Sequence, residues 1–316
     1  MSHIFILTLV TFFLVFCPNL YALDLERLQK TTDYLASDAL MGRKAGTETA
    51  DKAAQFIADE FKEIGLRPYD RNGYLQRFPL SDSASFDANV IGYIAAANDT
   101  DKSIVITAHY DGLGVDPSLH GEDKIFNGAR DNAVGVAALI ALANKLSQMT
   151  EPTYHIVFIA TGAEEIGHQG VHYYLNNPLF DRQQIIANLN IDGFNVTGKR
   201  LDFFVMPKRP SALLTNIKHV AEKLGWQYLS PGWENSMDDK FDTAQFLAHN
   251  IPAGTIWTGT KLLNGHEAPG LPFGAIHSVD DEVNMHWDWS GIADHLTLYE
   301  MVIKRILTSD TNTQTK

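Results

Sequence analysis

The chain has 316 residues and a single cysteine, Cys17, and its first 23 residues contain no Asp, Glu, Lys or Arg. A disulfide framework is therefore excluded. Low-complexity linkers and internal repeats are also missing, and the 45% hydrophobic, 20% charged composition excludes disorder and collagen. Basic residues are scarce, with 25 Lys and Arg against 38 Asp and Glu and a formal net charge of -13. Such a chain repels phosphate backbones and anionic lipid heads, so nucleic acid is not expected as a partner.

The charge-free start holds one continuous run, Ile4 to Phe16, of 13 residues that are apolar apart from two threonines. A membrane span needs about 20 residues, so the run fits the hydrophobic region of a secretory signal peptide. The sequence thus predicts a signal peptide over residues 1–22, cleaved after Ala22, and a single domain over 23–316. The product would be periplasmic or secreted, with no stable membrane span after cleavage. Cys17 would leave with the signal, so stability would rest on the core or on bound metal. Two other readings stand beside this one: an uncleaved anchor, and a lipoprotein modified at Cys17, against which bulky Phe16 and the following Pro18 both count.

From Asp24 onward helical patterns alternate with short apolar runs, which predicts an α/β fold with a mostly parallel central sheet sandwiched by helices. The expected strands are Ser103 to Ala108, His155 to Ala160, Ile185 to Ile191 and Pro252 to Trp257, each almost wholly apolar, as strands covered on both faces must be. Val134 to Leu146 reads as a buried helix; Ser211 to Leu224 and Asp288 to Leu307 read as amphipathic ones. Leu25 to Ala36 and Thr47 to Ile64 are helical stretches ahead of the sheet, and Thr308 to Lys316 is a polar tail.

Ligands of a parallel α/β sheet bind beyond the carboxyl ends of its strands. There the sequence turns polar: His109 and Asp111 follow the first run, Glu164 and Glu165 the second, Asp192 the third, and His277 the fourth across a Gly-rich loop. Asp131 lies just before the buried helix. Each residue alone has an ordinary explanation: a His-x-Asp pair also occurs at His286 and Asp288, and an Asp before a helix is commonly an N-cap. Their joint placement fits a metal site. Asp131, Glu165 and Asp192 in one pocket would oppose one another's ionisation unless cations sat among them. Two divalent ions among these carboxylates and the neutral His109 and His277 leave one surplus positive charge, which a bridging hydroxide cancels. Oxygen and nitrogen donors without thiolate suit zinc in an open, catalytic site. Glu164, beside a ligand, is left to take a proton and return it.

Tyr34 to Asp38, Met41-Gly42-Arg43, AHYDG, GARDNAVG, ATGAEEIG, NLNIDG and AIHSVDD occur in that order along nearly the whole mature chain. Together they resemble the secreted dizinc aminopeptidases, leucyl aminopeptidase-like zinc exopeptidases that share a phosphorylase/hydrolase-like fold with glutamate carboxypeptidase and animal glutaminyl cyclase. The resemblance implies two zinc ions per chain: His109 and Asp192 on one, Glu165 and His277 on the other, and Asp131 bridging both. It further implies Glu164 as general base, Asp111 orienting the His109 ring, a cis peptide between Asp131 and Asn132, and peptides hydrolysed at their amino-terminal residue by a metal-bridged hydroxide.

Several positions depart from that family. Arg130 stands where Asp is usual, and either points away and pairs locally or binds a substrate carboxylate. Gly193 replaces a larger apolar residue, leaving a substrate pocket that is enlarged or filled by Phe194. Ile276 is a candidate pocket wall where glutaminyl cyclases carry Trp, and Thr243 follows Asp242 where His is common. The competing functions are a cyclase, a carboxypeptidase or dipeptidase supported by Arg130, and a binding protein that has lost its metals, which the complete ligand set opposes. Trp287 and Trp289 read as packing, His168 and His172 as solvent or packing residues without a carboxylate partner, and the loop with His266 and Glu267 as the border of the site.

Overall fold

Four apolar runs become four adjacent parallel strands, because a strand with no polar face must be covered on both sides. The computed structural model describes residues 24–81, 84–194, 196–232, 234–266 and 276–309. The proposed signal segment with Cys17, Glu267 and most of the Gly-rich loop, and the tail from 310 lie outside the described residues.

The strands are β1 (Arg67–Pro68), β2 (Leu75–Pro79), β3 (Phe86–Ile94), β4 (Ser103–His109), β5 (Gly114–Val115), β6 (Ile125–Phe126), β7 (His155–Thr161), β8 (Ile185–Asn190), β9 (Asp202–Met206), β10 (Gln227–Tyr228) and β11 (Ala253–Thr258). The main sheet has the order β1-β3-β7-β4-β8-β11-β9-β10, with β2 paired to β3, and β5 and β6 form a separate ribbon. The four strands read from the sequence are its parallel centre, β7-β4-β8-β11. The flanks add antiparallel pairings to this parallel centre: β3 runs antiparallel to β7, and β9 antiparallel to β11. Short connections explain this. A parallel return needs a crossover of a dozen residues or more, usually a helix. No helix intervenes between β3 and β4, nor between β8 and β9. Where a helix does intervene, α5 between β9 and β10, the pairing is parallel.

The helices are α1 (Leu25–Leu35), α2 (Glu48–Ile64), α3 (Val134–Leu146), α4 (Gln169–Asn176), α5 (Ala212–Lys223), α6 (Thr243–Ala248) and α7 (Trp289–Ser309). Side chains alternate between the two faces of a strand. Ile104 and Ile106 of β4 and Ile156 and Phe158 of β7 accordingly pack in the layer that holds α1, α2, α3, α5 and α7. Val105, Val157 and Ile159 face the thinner layer of α4 and α6, among Val171, Tyr174 and Phe246. α3 is buried on nearly every face, which its Ala-rich sequence allows. α2 starts at Thr47, whose side chain accepts from the Ala50 N–H, and ends at left-handed Gly65, so capping sets both of its limits. Trp287 and Trp289 pack on each other with ring centres 5.3 Å apart where α7 begins.

Candidate metal centre

His109 is the last residue of β4, the strand between β7 and β8, and those neighbours end at Thr161 and Asn190. The loops leaving the three strands therefore start side by side. They bring Glu164 and Glu165 from one flank and Asp192 from the other to the His109 ring.

Asp131 reaches the same place from the opposite direction. It sits in a wide helical turn, Ala129–Ala133, that feeds directly into α3. Gly128 opens this turn at φ +57°, and a Cβ there would lie 2.3 Å from the Asp131 carbonyl oxygen, so no other residue fits. The Asp131–Asn132 peptide is cis, as the resemblance implies. Asn132 ties the turn to the Asp192 loop: its amide donates to the Ile191 carbonyl at 2.9 Å and accepts from the Gly193 N–H at 3.2 Å.

The donors fall into two triads that share Asp131. His109, Asp131 and Asp192 form one, and Asp131, Glu165 and His277 the other, with the donor atoms of each within 4.8 Å of one another. His109 Nε2 lies 3.1 Å from Asp131 Oδ1 and 3.6 Å from Asp192 Oδ1. His277 Nε2 lies 3.1 Å from Asp131 Oδ2 and 3.4 Å from Glu165 Oε2. The two carboxylate oxygens of Asp131 thus face different imidazoles. On its other ring nitrogen His109 meets the Asp111 backbone carbonyl at 3.2 Å, while the Asp111 carboxylate stands 3.8 Å away and accepts from the Glu164 and Glu165 N–H groups instead. Asp111 therefore fixes the glutamate loop as well as the histidine.

Protons relieve the crowding when the protein groups act alone. Burial and then the Asp131 charge push Glu165 up to about 8, and burial pushes Asp192 up to about 6. Burial would raise Asp131 too, but hydrogen bonds from His109 and His277 hold it below the usual carboxylate range. The hydrogen bond to Asp131 lifts His277 to about 9, and His109, which burial alone would lower, is held well above its ordinary value by Glu164 and Asp192. Divalent cations would satisfy the same donors by displacing these protons. Three carboxylates, two imidazoles and no thiol form a donor set that fits zinc.

A cavity of about 330 Å³ opens over the triads. His109, Glu164, Glu165, Asp192 and His277 line its floor, and Met237, Phe241, Trp257 and Ile276 give it an apolar wall. Ile276 stands in the cavity wall. Phe194 does not. It is buried against His295 and Tyr299, with ring centres 4.7 and 6.4 Å away, and the Trp257 ring occupies the space beside Gly193 instead. The missing side chain at 193 makes room for an indole, so the pocket is reshaped rather than enlarged. Arg130 faces the cavity, and its Nε is buried with no hydrogen-bond partner.

Sequence reasoning missed four residues. Arg43 is completely buried and donates to the carbonyls of Leu35, Tyr110, Asn127 and Gly128, holding a cation beneath the carboxylates. Asp281 accepts the backbone N–H groups of Arg130 and Asp131. Trp257 lines the cavity. His168, read as a solvent or packing residue, has a carboxylate partner: its Nε2 is 3.2 Å from Glu164 Oε1. The four-residue separation of 164 and 168 was the available signal.

A mixed sheet carrying two acidic donor triads at the carboxyl ends of its parallel strands defines an α/β protein with a candidate two-ion centre. The chain belongs to peptidase family M28, which residues 89–302 match. Leupeptin-inactivating enzyme 1 of Streptomyces exfoliatus is 32% identical over 141 residues, covering 43% of this chain and 31% of that protein. Aminopeptidase YwaD of Bacillus subtilis is 29% identical over 148 residues, covering 45% of this chain and 30% of that protein. These matches span about a third of each relative's length. Among solved structures, BSAP, a zinc aminopeptidase from Bacillus subtilis, superposes with a TM-score of 0.72 at 15% identity over 92% of this chain and 97% of that one. Porphyromonas gingivalis glutaminyl cyclase superposes with a TM-score of 0.65 at 18% identity, over 90% of this chain and 98% of that one. Both likenesses are of fold. Among the described residues no helix is long and apolar enough to cross a membrane.

Proposed function

We propose that the chain is an exported zinc-dependent aminopeptidase that removes the amino-terminal residue of peptides. The observation that carries this reading is the sharing of Asp131 between two donor triads beside Glu164, on the floor of a cavity with one apolar wall. His109 and Asp192 would hold one zinc ion, Glu165 and His277 the second, and Asp131 both. When bound, zinc supplies a Lewis acid for the scissile carbonyl and lowers the pKa of water to about 7. Glu164, close to both triads but in neither, takes a proton from the attacking water and passes it to the leaving amine. Phe241, Trp257 and Ile276 receive an apolar amino-terminal side chain and exclude water from the reacting carbonyl.

The test pairs metal content with turnover of a leucyl arylamide and of a glutaminyl peptide. Two zinc ions per chain and chelator-sensitive release of the amino-terminal residue are expected; one ion with a cyclised product would overturn the reading in favour of a cyclase. Glu164→Gln should keep its zinc and lose turnover by about 10²- to 10⁴-fold. A second reading, a dipeptidase or carboxypeptidase, has one observation in its favour: the guanidinium of Arg130 on the cavity wall without an ion pair among the described residues. It would show as a preference for dipeptides over their amides that Arg130→Met abolishes.

A further inference from the structure

Among the described residues, one side chain alone is within hydrogen-bond or ion-pair reach of the Glu164 carboxylate: that of His168, with Nε2 3.2 Å from Oε1. Both side chains are largely buried, 15% and 8% exposed. The chain is turned to make this contact. Gly167 and His168 both return their N–H groups to the Glu164 carbonyl at 2.9 Å, closing a single turn that sets the imidazole over the carboxylate from which the turn began. The turn places His168 at φ +55°, in the left-handed region that residues other than glycine rarely adopt. Two further backbone bonds hold it there, Gln169 N–H to the Ala163 carbonyl and Gly170 N–H to the Gly162 carbonyl, each 3.0 Å long.

The charge of Asp242 also acts on the ring; Asp242 is 1% exposed, accepts from the Thr161 hydroxyl at 2.6 Å and leaves its second oxygen without a hydrogen-bond partner among the described residues. Burial opposes a proton on this ring, but the hydrogen bond to Glu164, the charges of Asp242 and Glu164 and the Lys240 backbone outweigh it and raise its pKa.

We infer that His168 is a positioning residue that fixes the rotation of the Glu164 carboxylate by donating a hydrogen bond to one of its oxygens. The inference rests on the reading of Glu164 as general base. A base must lie within hydrogen-bond reach of the proton it takes, and a misplacement of about 1 Å can cost up to about 10²-fold in rate. His168 belongs to neither donor triad but lines the cavity, so its effect on kcat is read against KM.

The experiment compares His168→Leu and His168→Gln with wild type and Glu164→Gln, all zinc-loaded, on a leucyl arylamide. His168→Leu keeps bulk and removes the donor; kcat should fall roughly 10- to 100-fold while KM stays within about twofold. His168→Gln, which retains an N–H at similar reach, should recover most of that loss, and zinc content should be unchanged in every variant. A rise in KM alone, or equal losses in the Leu and Gln variants, would overturn the inference. Wild-type kcat in His168→Leu beside an inactive Glu164→Gln would also overturn it while leaving the base in place. Full turnover in Glu164→Gln would instead remove the base itself and this inference with it.

Discussion

The carboxylate of Asp281 accepts the backbone N–H of Asp131 at 3.0 Å, and its other oxygen accepts the N–H of Arg130 at 2.9 Å. Asp281 is 1% exposed and returns its own carbonyl to the Ala129 N–H at 3.0 Å, so the segment after His277 is bound to the turn that carries Asp131. Removing the carboxylate should loosen the shared donor without deleting any ligand. Asp281→Ala is expected to weaken zinc binding by roughly 10- to 100-fold, the range for a partner that orients a ligand. Asp281→Asn, which can still accept through one oxygen, should cost less. Chelator competition measures both, and an unchanged affinity in the Ala variant would show that the turn holds Asp131 unaided.

Gly193 and Trp257 occupy complementary space. A Cβ at Gly193 would come within 2.8 Å of the Trp257 ring, and the residue sits at φ +66°. Gly193→Ala should therefore displace the indole toward the cavity and destabilise the fold by about 1 to 3 kcal/mol, combining overpacking with the left-handed backbone. KM for substrates with large amino-terminal side chains should rise more than KM for alanyl ones. Equal changes across a series of arylamides would separate Trp257 from specificity.

The centre of the sheet was legible because burial on both faces forces a nearly uninterrupted apolar run, and β4, β7, β8 and β11 each fall within a residue or two of the runs in the sequence. β3 was not legible. It buries Asp87 and Asn89 along with its apolar residues, and these polar side chains break the run that would have announced it. The donors could be read because metal ligands are chemically conspicuous at strand ends. Asp281 could not, since it works on backbone N–H groups that every sequence contains, and nothing in the letters separates it from exposed Asp280. Phe194 was misplaced for a related reason: which of two adjacent residues faces a pocket depends on the backbone turn at Gly193, not on hydrophobicity.

His295 sets an acid limit on stability. Burial lowers its pKa to about 3, and both ring nitrogens are without hydrogen-bond partners. In the unfolded chain a histidine titrates near 6.5. The unfolded state therefore binds the extra proton first as pH falls, so the stability that neutral His295 contributes is complete above about 6.5 and is lost between there and its folded value. The loss is about 1.4 kcal/mol per pH unit, or about 2 kcal/mol by pH 5. Urea unfolding of wild type and His295→Phe at pH 7.5 and pH 5, both with chelator present, should show the gap between them shifting by that amount in favour of the variant. A gap independent of pH would mean that the ring takes up a proton without unfolding.

Asp131 is the one donor common to both triads, with Oδ1 toward His109 and Oδ2 toward His277. An amide cannot present two anionic oxygens, so Asp131→Asn should cost both zinc ions, whereas Asp192→Asn should cost one, because only one triad contains it. The backbone N–H that Asp131 gives to Asp281 is unaffected by either change, but Asp131→Asn also loses the carboxylate that accepts from His109 and His277, so each variant is compared with its own metal-free form. Adding zinc separates them. An ion present at 100 times its dissociation constant stabilises the folded state by about 2.7 kcal/mol, so wild type should gain most, Asp192→Asn an intermediate amount and Asp131→Asn little. Zinc per chain, measured after gel filtration, should follow the same order, and two ions retained by Asp131→Asn would mean that the triads bind independently and that Asp131 bridges nothing.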